Sequence, residues 1–476
     1  MADGAAHLGP LDSAEREAIM DAEAKQPGSR LTAPERLEEG RAARKRAPRD
    51  AHGGWERPAG RADPLALLAE SNRRRVPELV PIRYGRMAAS PFAFLRGSAT
   101  VMAHDLATTP TSGITVQACG DAHLLNFGFF ATPERNLVFD VNDFDETLPG
   151  PWEWDVKRLA ASVAVAGRQA GFGDEAARSA AQGSVRAYRN QIALFGGLGH
   201  LEAWYSRIDV DELGLKASDP RSRRTLAKGA AKARRRTALQ ATAKLTTLVD
   251  GRRQLVDDPP LLEHVTADHF GERVQALYQT YAGSLPDDRR HLLDRYRFAD
   301  FAFKVVGVGS VGTRCLIVLF QGTNDDDVLL LQLKEAQASV LEPFVGASAY
   351  DNHGQRVVEG QRLMQAASDI FLGWGTGVEG YHFYFRQFRD MKGSPPAEKV
   401  RTAGFSQYAR ACGWALARAH ARSGEAATIT GYLGRSDRFD RNVGEFAMAY
   451  ADQTVRDHAA LVAAVAEGRI EARTDV

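Results

Sequence analysis

Cys119-Gly-Asp-Ala-His-Leu-Leu-Asn126 places an aspartate and an asparagine five residues apart, directly after a short β-type run at Ile114–Gln117. It is followed by Leu137-Val-Phe-Asp-Val-Asn-Asp-Phe-Asp-Glu146, an apolar strand that ends in a burst of carboxylates. A single Asp here reads most simply as a turn or helix cap. The whole arrangement asks for more, because carboxylates this close to Phe139, Phe144 and Trp152 are costly unless paired or metal-bound. Acids at a strand end with an amide oxygen nearby suit a hard cation, which takes one or two carboxylates and leaves the rest of its shell to phosphate oxygens. A separate carboxylate can then orient an attacking hydroxyl.

Outward from that stretch, Trp154 to about Phe195 carries apolar residues at helical spacing without proline and predicts two long helices. Ser90-Pro-Phe-Ala-Phe-Leu-Arg-Gly97 predicts the start of a buried helix. Residues 298–340 change to β-branched, period-2 character. Within them Lys304-Val-Val-Gly307-Val-Gly309-Ser310-Val-Gly312 contains G-x-G-x-x-G, a weak pattern alone. The glycines are followed by the strand Cys315–Phe320 and not by a helix. That excludes a dinucleotide-binding turn and predicts a glycine-rich hairpin. Val328-Leu-Leu-Leu-Gln-Leu-Lys334 is an apolar strand with one lysine, which is expensive there unless it meets an anion. The helical run Gln355–Met364 offers Glu359 as a partner for that lysine. Glu342 is a weaker option, and Glu335 falls on the other face of the strand.

Gly120-Asp-x-His-x-x-Asn126 resembles the catalytic loop of aminoglycoside and choline phosphotransferases, members of the protein-kinase-like superfamily. The resemblance implies Asp121 as catalytic base or hydroxyl orienter and Asn126 as a catalytic and metal-binding residue. A strand-end Asp would be the second metal ligand. The spacing favours Asp140, while Asp143-Phe-Asp145, which resembles the kinase Asp-Phe-Gly, puts Asp143 in competition for the same role. Cys119 stands where the family has a histidine, and Asp155 reads as a helix cap. The resemblance makes Gly307, Gly309, Ser310, Gly312, Lys334 and Glu359 the nucleotide-binding set. Tyr381–Phe388 resembles the strand that leads to a kinase hinge, and His420 reads as a core histidine.

In ordinary kinase-like proteins the glycine loop precedes the catalytic loop. Here the order is reversed, which implies a circular permutation. The expected fold is α+β and two-lobed: a tail over 1–60, a helical lobe with the catalytic and metal loops over 61–297, a small antiparallel-sheet nucleotide lobe over 298–395, and helices over 396–476 returning to the larger helical lobe. The expected activity is ATP-dependent phosphoryl transfer to a hydroxyl of a small molecule or protein, with Mg²⁺ and with Mn²⁺ as the alternative metal. AMP transfer from ATP and a non-catalytic ATP-binding regulator are the competing readings. The blocks Arg86–Gly97, Cys119–Gly128, Asn142–Asp155 and Arg356–Arg362 also resemble a bacterial family known as domain of unknown function 2252, over roughly residues 60–465.

Composition agrees with a globular chain: 476 residues, 44% apolar and 25% charged, with a formal net charge of +1. That charge gives no field for nucleic acid or membrane. The Arg221–Arg236 block, eight Lys/Arg without an acid, reads as one exposed helix face, with an anionic partner as the sharper reading. The three cysteines are far apart, which argues against a disulfide framework or zinc knuckle and fits a reducing compartment. No apolar run approaches the roughly 20 residues of a membrane span, and the N-terminus lacks a secretion-signal layout. The expectation is a cytoplasmic protein.

Overall fold

The computed structural model describes residues 31–474, apart from 216–219, 236–237, 251, 265–269, 306, 389–390, 392 and 394–401. The chain is α+β, with antiparallel sheets and a larger helical part.

Helix α1 (Ala33–Ala43) starts on a capping box, Thr32 with Glu35, behind Pro34. It crosses the late helix Ala426–Leu433 at very short range. A Cβ on Gly40 would lie 1.9 Å from the Thr428 carbonyl oxygen, and one on Gly431 2.1 Å from that of Leu37. Arg44 and Arg49 then donate to the last carbonyls of that helix, at Gly431, Tyr432 and Leu433. The tail expected over 1–60 is corrected on this point. Residues 1–30 lie outside the described residues, but 33–52 form a docked element held by backbone approach and arginine caps instead of large apolar side chains.

Helices α2 (Pro64–Asn72), α3 (Val80–Ala88), α4 (Pro91–Gly97) and α5 (Ala99–Leu106) follow. Strand β1 (Thr115–Ala118) pairs with β4 (Leu148–Pro151), β2 (Phe127–Ala131) with β3 (Leu137–Val141), and β5 (Thr246–Val249) with β6 (Arg252–Leu255). The long helices α6 (Trp152–Gln169) and α7 (Asp174–Phe195) pack with the late helices Thr402–Ser423 and Arg438–Ala466 in the largest hydrophobic cluster. The basic helix α8 (Pro220–Arg235) buries Ala230 and Ala233 and exposes Arg223, Lys228, Lys232 and Arg235, the one-faced arrangement expected.

The sheet that decides the architecture has six strands. They are β7 (Leu262–Glu263), β8 (Arg297–Lys304), β9 (Cys315–Gln321), β10 (Val328–Ala336), β11 (Gly373–Thr376) and β12 (His382–Gln387). They lie in the order β11-β12-β10-β9-β8-β7 and pair antiparallel throughout, with Lys334 opposite Cys315 on one side and Tyr384 on the other. Alternation sorts β9 onto two faces. Leu316, Val318 and Phe320 meet Leu277, Tyr281 and Leu285, while Ile317 and Leu319 meet Leu255, Ala302 and Leu330. The sheet unit therefore begins before residue 298: β7 adds an edge strand, and α9 (Phe270–Gly283) covers one face. Among the described residues no helix is long and apolar enough to cross a membrane. The three cysteines are free and buried.

Candidate functional site

The loop after β1 is fixed by the first turn of α6. Gly120 adopts φ +78°, and a Cβ there would lie 2.4 Å from the Glu146 carbonyl oxygen, so only glycine fits the turn. The Asp155 carboxylate accepts from the backbone N–H of Cys119 at 2.6 Å and of Gly120 at 2.9 Å. It also faces His420 Nε2 at 3.1 Å, and His420 Nδ1 meets the Tyr188 hydroxyl at 2.8 Å. Asp155 thus caps the loop and not its own helix, and His420 is a core histidine. One helical turn on, Arg158 donates through Nε and Nη2 to a single oxygen of Asp121, Oδ1, at 2.8 and 2.6 Å. Asp121 Oδ2 is left facing His123 Nε2 at 3.9 Å. Burial, with Arg96 and Arg158 nearby, pushes the His123 imidazole well down, so it stays neutral. The Asn126 side-chain N–H₂ donates to the Asp121 carbonyl at 2.7 Å, which leaves its amide oxygen for another partner.

The acidic stretch separates into two environments. Asp140, at 0% exposure, sits on β3 opposite Gly128 and is fully occupied. It accepts from Arg418 at 2.6 Å, from the Ala366 N–H at 2.9 Å and from the Val141 N–H. The expectation of Asp140 as principal metal ligand is corrected: it is fully buried away from the cavity, where Arg418 takes its charge. β3 ends at Val141, and beyond it Asp143 and Asp145 turn toward the glycine loop. Asp143 Oδ1 is buried without a hydrogen-bond partner, and burial, with Asp145 beside it, raises its pKa. Asp145 accepts from the Tyr384 hydroxyl at 2.8 Å, from Ser310 at 3.4 Å and from Lys334. Burial alone would raise Asp145, but Lys334 and the Tyr384 hydroxyl hold it below the usual carboxylate range.

Lys334, 2% exposed, is also 4.0 Å from Asp143. Burial works against its charge, yet the two aspartates hold its pKa above the ordinary lysine value. Its partner is therefore Asp145, 189 positions away, and not Glu359. Glu359 pairs at 3.0 Å with Arg362 on its own helix, α10 (His353–Met364). That helix acts through Arg356, which donates to the backbone carbonyls of Asp145, Thr147 and Gln337 and braces the acidic turn. Glu335 faces away and pairs with Arg314 at 3.1 Å, as alternation requires.

One cavity of about 170 Å³ is lined by Asp121, His123, Asn126, Asp143, Asp145 and Glu146, together with Gly307, Gly309, Ser310, Gln332 and Lys334. Gly312 is not part of that wall. Its carbonyl accepts from the Val76 N–H at 2.7 Å, and its φ of +87° turns the loop. Residues that the sequence reading missed complete the lining: Arg75, Arg83 and Arg96 from the α2–α4 region, and Arg386 from β12. Burial pushes Glu146 up to about 7, against the opposing Val340 N–H.

The model of a bacterial family described as an uncharacterized protein conserved in bacteria, domain of unknown function 2252, matches residues 74–464. The chain belongs to this family. No curated protein and no solved structure matches it. The family 2252 match takes in the cavity wall from Arg75 to Arg386 and begins after α1.

Among the described residues no three His, Cys, Asp or Glu side chains cluster as a cation cage. Mg²⁺ bound through nucleotide phosphates needs no such cage. The buried Oδ1 of Asp143, which accepts no hydrogen bond and has Lys334 4.0 Å away, and the spare amide oxygen of Asn126 fit that demand, and Asp140 does not.

Proposed function

We propose that this family 2252 protein is a phosphotransferase of protein-kinase-like architecture, circularly permuted, that moves the γ-phosphoryl group of ATP to a hydroxyl acceptor. The observation that carries this reading is the convergence on one cavity of a glycine loop, a buried lysine and an Asp/Asn loop. Asn126 and Asp143 would hold Mg²⁺, or Mn²⁺, which supplies charge neutralisation on the phosphates when bound. Lys334, poised on Asp145, would meet phosphate oxygens. The backbone of Gly307–Ser310 would lie along the same chain, where glycine permits close approach.

Asp121 would work through Oδ2. Arg158 occupies only Oδ1, fixing the carboxylate plane and leaving the second oxygen to accept a hydroxyl hydrogen bond. In the transfer the acceptor oxygen forms a bond to the γ-phosphorus, the bond from that phosphorus to the β,γ-bridging oxygen breaks, the hydroxyl proton passes to Asp121 Oδ2, and ADP leaves. Neutral His123 beside that oxygen adds no competing charge. Positioning and charge complementarity are the main contributions to such a reaction.

Incubation of the purified chain with ATP labelled at the γ or the α phosphate tests the reading against a library of hydroxyl acceptors. Label from the γ position on product supports it. Label from the α position alone would replace it with AMP transfer, and ATP binding without any turnover would leave a regulator.

A further inference from the structure

Two arginines on the cavity wall, Arg75 and Arg83, lack the carboxylate partner that Arg61, Arg158 and Arg418 each have. Arg61 meets Asp105 and Asp457, Arg158 meets Asp121, and Arg418 meets Asp140. Arg356 has three backbone carbonyls and lies outside the cavity. Arg83 is 2% exposed and lines the cavity. It donates to Asn72 Oδ1 and to the Gly97 carbonyl, and its Nε is buried without a partner. The half-buried Arg75 donates to the carbonyls of Val311 and Gly309, and its Nε is likewise buried and unpartnered. Among the described residues neither is ion-paired with a carboxylate. Burial pushes both down, outweighing Glu146, Asp145 and Glu335 around Arg75, while the charge of Arg75 lowers Arg83 further.

A buried guanidinium with spare donors and no counter-ion is an incomplete site. Planar N–H donors of this kind match a phosphate group. The cavity is smaller than the roughly 300 Å³ at which pockets for drug-sized ligands begin, and its lining is mainly charged and polar, so it suits phosphate groups better than a purine ring.

We infer that Arg75 and Arg83 form a phosphate subsite for the acceptor, which makes the acceptor a hydroxyl compound that already carries a phosphate group. This rests on the phosphotransferase reading, in which Lys334, Asn126 and Asp143 serve the nucleotide. The acceptor phosphate docked on the arginines would hold its hydroxyl toward Asp121, which comes from the same cavity wall.

The test is calorimetric titration of inorganic phosphate into the full chain at constant ionic strength. It is run first without nucleotide and then with a saturating non-hydrolysable ATP analogue and Mg²⁺. The expected result is phosphate binding in both titrations of the wild type. Arg83→Met should weaken it about tenfold or more and leave the affinity for the ATP analogue within about twofold. Arg75→Met should weaken phosphate likewise, and it serves in place of Arg83→Met should that variant not fold. Phosphate displaced by the ATP analogue would overturn the inference and give the arginines to the nucleotide's own phosphates. Absence of phosphate binding in the wild type would also overturn it. If the analogue fails to bind while phosphate binds and is lost in Arg83→Met, the ATP reading falls and the arginine subsite stands alone.

Discussion

Asp140 and Asp143 lie three residues apart, the first fully buried and the second half-buried with its Oδ1 covered, and one is finished while the other is not. Asp140 is closed by Arg418 and two backbone N–H groups inside the helical core. Asp143 has an oxygen with no donor, on a cavity that also holds a lysine and a glycine loop. A buried charge whose partners are all in place explains itself as structure. A buried charge with spare valence implies something that the chain alone does not provide.

Substitutions at the two positions should separate accordingly. Asp143→Asn should lower ATP-dependent transfer by about a thousandfold, since a divalent ion supplies several kcal/mol of charge stabilisation. Its stability in urea should change by no more than about 1 kcal/mol, because no hydrogen bond to Oδ1 is lost and Lys334 keeps Asp145. An unchanged turnover number for Asp143→Asn would break the contrast. Asp140→Asn should instead cost about 3–5 kcal/mol of stability by leaving Arg418 uncompensated, measured by equilibrium denaturation. If Asp140→Asn is as stable as the wild type, the Arg418 pair is not structural.

Glu146 sharpens the comparison through pH. Its folded pKa, about 7, lies above the ordinary glutamate value. The native state therefore binds an extra proton between the two values, and this group makes stability rise as pH falls from about 8 toward 5. Glu146→Gln should flatten that part of the melting-temperature profile, and an unaltered slope would assign the effect elsewhere. The smallest effect is expected at Glu359, which pairs only with Arg362 in its own helix. Glu359→Gln should change stability by no more than about 0.5 kcal/mol and leave transfer unaltered. A large loss of transfer would restore the helix glutamate as the partner of Lys334.

Much of the architecture was legible. Period-2 patterning with a glycine run between two strands gives the β8–β9 hairpin, and the lone lysine in an apolar strand marks the cavity face of β10. The Asp121/Asn126 loop follows a strand as its composition requires. What was not legible has definite causes. Spacing favours Asp140 over Asp143 but cannot say where β3 ends; the residue after Val141 decides which carboxylate reaches the cavity. The partner of Lys334 comes from a segment 189 positions away, where no helical periodicity points. Arg158 did carry a signal, since it lies one turn after Asp155 on the same helix face. So did α1, whose Thr32-x-x-Glu35 box with Pro34 marks a helix start, but its packing through Gly40 and Gly431 leaves no apolar stripe to read. Arg75 and Arg83 fall in a segment with no motif at all, and only their missing counter-ions single them out.

The central claim, that the unfinished carboxylate at the strand end serves a metal-bound nucleotide, is tested most directly by titrating ATP into wild type, Asp143→Asn and Asp140→Asn, with and without Mg²⁺. Metal-dependent ATP binding by the wild type and by folded Asp140→Asn, with the metal dependence lost in Asp143→Asn, is the predicted result. Equal metal dependence in Asp143→Asn and the wild type, or no ATP binding by the wild type, would contradict it.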